Sequence, residues 1–139
     1  MTQAPCSASS ILLAAELRHL IENALALYCL AMDEHDAAAA GQLLTDAQLH
    51  FKGQPAKTGV DTISGFYAEA FQDAAPTRHL IGNLLTQVDG QDITYRATYQ
   101  RWSLAENHPF CQAIGEYRGR FTPTPGRLKW TEHRIQQAP

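Results

Sequence analysis

Cysteine is scarce in this chain, and what there is forms no pattern. Cys6, Cys29 and Cys111 are odd in number, far apart and without C-x-x-C spacing, which speaks against a disulfide framework or a thiolate zinc site and fits reduced thiols in a cytoplasm. Long apolar runs are missing too. The stretch Ile11 to Ala15 is too short to span a membrane and follows no basic segment, so neither a membrane partner nor a targeting signal is expected. Basic clusters are absent: the 11 Lys and Arg residues are scattered and the formal net charge is -3, a balance that does not neutralise phosphates and makes nucleic acid an unexpected partner. There is no Gly-rich phosphate loop, no G-x-S-x-G elbow and no H-x-x-x-H spacing, so a nucleotide cofactor, a serine hydrolase and a bound metal are all disfavoured, and no cofactor is expected. His35, His50, His108 and His133 then read as isolated surface histidines.

What remains is a chain of 139 residues, 45% hydrophobic, enough for one domain with a core of its own. Residues 1–8 are small and polar with Pro5, and predict a loose tail ahead of a single domain at 9–139. Ser9 or Ser10 can cap a long helix in which Leu13, Leu17, Leu20, Ile21, Ala24, Leu27, Tyr28 and Ala31 recur at helical spacing, ending near Met32. Asp36 can cap a second, short helix over 37–44. Ala47–Phe51 suggests a brief strand, and Gly59–Asp73 a third helix with an apolar stripe of Val60, Ile63, Phe66, Tyr67, Ala70 and Phe71.

After Pro76 the period changes to two, predicting strands at Thr77–Val88, Asp92–Ser103, Phe110–Thr122 and Arg127–Gln136. Asp89-Gly90 marks a tight hairpin, Asn107-His108-Pro109 a looser turn and Pro123-Thr124-Pro125-Gly126 another reversal, so successive strands should pair antiparallel. Helices first and a meander second make an α+β fold.

The first of those strands carries chemistry. Thr77-Arg78-His79-Leu80-Ile81-Gly82-Asn83-Leu84-Leu85 sets a histidine and an amide in an otherwise apolar strand, and a period of two puts His79, Ile81, Asn83 and Leu85 on one face. Histidine changes charge near neutral pH, so such a wall suits acid–base work as well as a hydrogen-bonded core. Arg78 faces the other way, toward an acidic partner at the surface or a subunit contact. Leu25, Cys29 and Asp33 fall at i, i+4 and i+8, a spacing that would aim the Asp33 carboxylate inward past two interior residues, while its place beside Glu34 and Asp36 at the helix end fits an equally ordinary solvent-facing terminator. Among the aromatic residues Tyr28, Phe66, Tyr67, Tyr99, Trp102, Phe110 and Trp130, we take Tyr28, Phe66, Tyr99 and Trp102, together with Asn83, as lining a substrate site. Arg96 and Glu116 point either into a cavity or to water.

Three features sit together: Tyr28-x-x-x-x-Asp33-x-x-Asp36 at the end of the first helix, Thr77-Arg78-His79-x-x-x-Asn83 with the Val88-Asp89-Gly90 hairpin, and Gly115-Glu116-Tyr117 followed by Trp130-x-x-x-Arg134. From about Ala15 to Ile135 the chain resembles the SnoaL-like branch of the nuclear transport factor 2-like superfamily. The resemblance implies a cone of curved antiparallel sheet packed on N-terminal helices and enclosing a pocket. Relatives include polyketide cyclases, scytalone dehydratase, bile acid dehydratase, ketosteroid isomerase and the β subunits of ring-hydroxylating dioxygenases, so fold alone does not assign a reaction.

In the dehydratase relatives an aspartate at the end of the first helix orients a histidine on the pocket strand, and the matching positions are Asp33 and His79. The resemblance thus implies a catalytic His79–Asp33 pair acting without a metal on a small apolar or aromatic carbonyl compound, as a lyase or isomerase. It departs from scytalone dehydratase in having no histidine in Thr94–Tyr99 and Met32 where a tyrosine precedes the helix aspartate, which points away from scytalone as substrate. No aspartate matches the general base of ketosteroid isomerase. The other implied role is a non-catalytic ligand-binding or assembly subunit, like the dioxygenase β subunits, although this chain is short for one. Either role implies a homodimer, since relatives cover the outer sheet face by pairing.

Overall fold

The computed structural model describes residues 8–138, so the expected tail lies, but for Ala8, outside the described residues, as does Cys6. Helix α1 runs Ala8–Asp33, with Ser9 and Ser10 inside its first turn instead of capping it. Its buried face is Ile21, Leu25, Tyr28, Cys29 and Met32, a stripe at helical spacing. Leu13, Leu20 and Leu27, expected on that stripe, are exposed. The helix packs against the sheet from one side only, and the apolar arc is wider than the surface that meets it.

Asp36 caps α2 (Ala37–Leu43) by accepting from the Ala39 amide at 3.0 Å. Strand β1 (Gln48–Phe51) follows, then a two-residue strand β2 (Lys57–Thr58) too short for any alternation to announce, then α3 (Val60–Phe71), which buries Ile63 and Tyr67. The remaining strands are β3 (Thr77–Asp89), β4 (Asp92–Ser103), β5 (Phe110–Thr124) and β6 (Arg127–Gln137). They form one open, curved sheet in the order β2-β1-β6-β5-β4-β3. The β3–β6 meander is antiparallel, as the turn signals predict, and Asp89 pairs with Asp92 across the Gly90-Gln91 hairpin. Strand β1 runs parallel to β6, which makes the sheet mixed. No helix among the described residues is long and apolar enough to cross a membrane.

One irregularity sets the register of the sheet's functional end. Strand β3 pairs in step with β4 from the hairpin as far as Leu85, then shifts by one residue between Leu85 and Gly82. Asn83 sits in this bulge at φ +52°, a left-handed conformation that asparagine tolerates better than most residues. The extra residue reverses the alternation. His79 and Ile81 face the interior, and beyond the bulge Leu84 and Thr86 do so, leaving Asn83 and Leu85 exposed. Asn83 therefore does not share a wall with His79. The shift also makes Arg101, not Trp102, the partner of His79 across the strands, and Trp102 lies on the outer face, its indole N–H donating to Gln100 at 2.9 Å.

That outer face settles three further residues. Arg96 and Arg118 both pair with Glu116, Arg96 at 2.6 Å, so Arg96 and Glu116 point to water. Arg78 finds no carboxylate among the described residues and donates instead to its neighbour's carbonyl at Thr77.

His133 is no surface residue: it is fully buried, at the centre of an aromatic cluster of Tyr28, Tyr95, Tyr117 and Trp130. Its Nδ1 lies 2.6 Å from the Tyr95 hydroxyl, which also accepts from the Trp130 indole N–H at 3.0 Å. The Tyr95 hydroxyl also lies 3.4 Å from the Glu132 carbonyl, and His133 Nε2 has no hydrogen-bond partner among the described residues. Gly119 makes room for this arrangement, since a Cβ there would lie 2.3 Å from the Tyr95 oxygen. Trp130 is thus core, and Phe110 is exposed.

Burial drives the His133 pKa down to about 3. The folded state then resists a proton that the unfolded chain accepts near pH 6.5, so stability is full above that pH and falls as the pH drops toward 3. We expect wild-type stability in urea titrations to fall between pH 6.5 and 4 more steeply than that of His133→Gln, by on the order of 1 kcal/mol per pH unit. Equal slopes would mean that His133 does not titrate on unfolding.

Candidate active site

The last residue of α1 reaches the first strand of the meander. Asp33 ends the helix with its side chain 7% exposed and turns inward past Leu25 and Cys29, both buried. A carboxylate held there must satisfy its oxygens inside the protein. Oδ1 accepts from the His79 Nδ1–H at 2.6 Å and the Thr77 hydroxyl at 3.1 Å, and Oδ2 accepts from the His79 backbone amide at 3.0 Å. Three donors from one strand thus converge on one side chain. Since Nδ1 is committed to a carboxylate, the neutral ring carries its proton there and leaves Nε2 with a lone pair. That nitrogen makes no hydrogen bond to a described residue.

His79 stands on the wall of a cavity of about 360 Å³ between the inner sheet face and the helices, within the range of small-molecule sites. Its deep walls are Tyr28, Met32, Tyr67, Tyr99 and Tyr117, all buried. Phe51, Phe66 and Phe71 form a second side. The Tyr28 and Tyr67 hydroxyls are 2.5 Å apart, and the Tyr99 and Tyr117 rings stack at 4.4 Å. Burial pushes the phenols of Tyr28, Tyr67, Tyr117 and Tyr99 above their ordinary values, with the Arg101 charge opposing it in part at Tyr99. These groups stay neutral hydrogen-bond donors at physiological pH. Cys29, behind Asp33, is driven up to about 12 by burial, an inert thiol and no nucleophile.

His79 and Asp33 also border a cleft of about 470 Å³ between α1 and β3. Its rim is Glu22, Ala26, Leu30, Leu80, Gly82 and Asn83, all exposed. The aromatic cavity differs from it in its lining, which holds four buried tyrosines.

Of the residues expected to line a substrate site, Tyr28, Phe66 and Tyr99 border the aromatic cavity. Asn83 is at the rim of the surface cleft, and Trp102 is behind the sheet. Two polar lining residues escaped the sequence reading. Arg101 reaches the cavity from β4, two residues beyond Tyr99 on the same face, a placement that alternation alone would have allowed. His35 borders it from the turn after α1, stacked on Phe71 at 5.1 Å with φ +54°, and no period applies to a turn. No group of three or more metal-binding side chains occurs among the described residues.

This helix-and-strand geometry is that of a known class. The SnoaL-like domain family matches residues 14–134, and the chain belongs to it. Solved structures agree on the fold. A function-unknown protein from Mycobacterium tuberculosis, Rv3472, superposes with a TM-score of 0.79 at 21% identity, covering 97% of this chain and 78% of its own. A candidate scytalone dehydratase from Novosphingobium aromaticivorans gives 0.72 at 16% identity over 91% and 86%. The β subunit of a candidate aromatic-ring-hydroxylating dioxygenase from the same organism gives 0.74 at 18% over 91% and 92%. The fold is thus the NTF2-like, cystatin-like one. No curated protein matches the chain in sequence.

Removing the carboxylate tests the junction. Asp33→Ala strands a ring N–H, a hydroxyl and a part-buried amide, and should cost about 3 kcal/mol in chemical denaturation. Asp33→Asn keeps an acceptor oxygen and should cost less. A loss under about 0.5 kcal/mol for Asp33→Ala, the level of an ordinary surface change, would contradict the junction.

Proposed function

We propose that this protein is a cofactor-independent lyase or isomerase of dehydratase or cyclase type, acting on a small apolar or aromatic carbonyl compound. The observation that carries this reading is His79 on the wall of an aromatic cavity with Nδ1 held by Asp33 and Nε2 unoccupied. Nε2 takes a proton from the carbon beside the carbonyl, and the C–H electron pair becomes the enolate with its charge on the carbonyl oxygen. In an isomerisation the imidazolium returns that proton to another carbon. In a dehydration it passes to a departing β-hydroxyl, which leaves as water as the C=C bond forms. Asp33 stabilises the imidazolium between the steps and keeps the ring in place. The neutral phenols supply donors for the oxygen that gains charge. The free thiols Cys29 and Cys111 fit a cytoplasmic setting.

A second reading has its own observation. On the outer sheet face Leu80, Gln100 and Ile114 stand in register across three strands, with Leu80 56% and Ile114 49% exposed, and Leu85 is exposed nearby. A non-catalytic ligand-binding or assembly subunit would use such a face, and a neighbouring gene for a Rieske-type oxygenase α subunit would favour it. A homodimer through the same face is our expectation in either case. Light scattering on the purified protein should give twice the chain mass, and a clean monomer would contradict it.

The catalytic reading is tested by screening hydroxy and carbonyl aromatic compounds for turnover. With a substrate in hand, His79→Ala should lower kcat by at least about 100-fold while circular dichroism stays that of the wild type. Full activity of His79→Ala would end the mechanism.

A further inference from the structure

Among the described residues, Arg101 is the one lysine or arginine that borders the aromatic cavity, and no aspartate or glutamate borders it. Its situation differs from that of most strand arginines; Arg78, exposed on the outer face, is the other strand arginine without a carboxylate among the described residues. Arg96, Arg118, Arg120, Arg127 and Arg134 each meet a carboxylate, whereas Arg101 forms no ion pair with a described residue. Its only side-chain hydrogen bond there runs from Nε to the Gln112 amide oxygen at 3.0 Å. That contact fixes the plane of the guanidinium and leaves both Nη groups to donate elsewhere. A half-buried cation beside tyrosine rings, with no counter-ion of its own, is an incomplete pair.

Position narrows the class of ligand. The bulge in β3 makes Arg101 the cross-strand partner of His79, so the two side chains rise from adjacent backbones on the inner face. Gln112, Ala70, Ala74 and Ala75 are exposed and mark the mouth, while Tyr28, Tyr67 and Tyr117 are buried and form the floor. Charge is therefore at the mouth and apolar surface below. We propose that Arg101 is the specificity residue of this site and that the ligand is an aromatic carboxylate, seated rings first, with its carboxylate on the Nη groups of Arg101. This deepens the proposed function by naming the substrate class, and it rests on the aromatic cavity being the site. The planar guanidinium fork binds a carboxylate through two parallel hydrogen bonds, and the two rows of ring faces hold a flat body. A carbonyl on the ring system then lies within the reach of His79.

Two probes of one shape test this: 2-naphthoate, anionic at pH 7, and the neutral 2-naphthamide, each titrated into the full-length protein by calorimetry. The wild type should bind the naphthoate about tenfold more tightly or better, the factor that about 1.4 kcal/mol represents. Arg101→Met should bind both alike, and Arg101→Lys should keep part of the preference. Ala70→Trp, which plugs the mouth from an exposed helix position, should abolish both. Equal affinities in the wild type would overturn the role of Arg101 and leave the cavity as a site for neutral aromatics. A preference that survives Arg101→Met or Ala70→Trp would place the anion elsewhere and overturn it too. Binding of neither probe would overturn both the anion site and the aromatic cavity as a ligand site. Tight naphthoate binding in a protein whose turnover is indifferent to His79→Ala would uphold Arg101 and retire the catalytic reading alone.

Discussion

The carboxylate of Asp33 is the tie on which the site depends. Helix α1 and strand β3 belong to different layers and are far apart in sequence; Arg18 donates to the Leu84 carbonyl at 2.7 Å, and at the site itself Asp33 joins them through the Thr77 hydroxyl, the His79 amide and the His79 ring. Each bond alone is ordinary. Together they fix where the helix ends, where the strand begins and how the imidazole is turned. A buried carboxylate would be a liability without such partners, and its three donors make it a positioning device.

A second constraint is geometric. The extra residue at Asn83 rotates the far part of β3 by one step and changes which side chains meet across β3 and β4. In an unbroken ladder counted back from the Asp89–Asp92 hairpin, His79 would face Trp102 and sit beside an indole. With the bulge it faces Arg101, and the indole lies behind the sheet. Bulges near sites commonly re-aim a side chain in this way. Here the bulge brings His79 to the inner face beside Arg101, which the alternation of β4 places there with Tyr95 and Tyr99.

The helices and the meander were legible in the sequence because each rests on a local signal: periodicity for the elements, Asp36 for a cap and Asp89-Gly90 for a hairpin; spacing along α1 left Asp33 free to face in or out, and it was the resemblance to the SnoaL-like branch that paired it with His79. Asn83 was misplaced because strict alternation cannot show a bulge, and a one-residue slip moves every side chain beyond it to the other face. Trp102 was misplaced against the alternation of β4 itself, which turns Tyr99 and Arg101 inward and residue 102 outward. His133 was misread as a surface residue because its burial comes from β1, β5 and α1 packing around it, a long-range arrangement without a short-range mark. The parallel β1–β6 pairing and the two-residue β2 escaped for the same reason. His35 and Arg101 lacked any spacing rule that would single them out.

Nitrogen-15 NMR of the His79 ring at pH 8 tests the central claim most directly, because long-range proton–nitrogen correlations report which ring nitrogen is protonated. The account predicts the proton on Nδ1, facing Asp33, and a bare Nε2 that can take a proton from a ligand. A proton on Nε2 with Nδ1 bare would mean that Asp33 does not hold the ring as described, and the acid–base role assigned to the pair would fall with it.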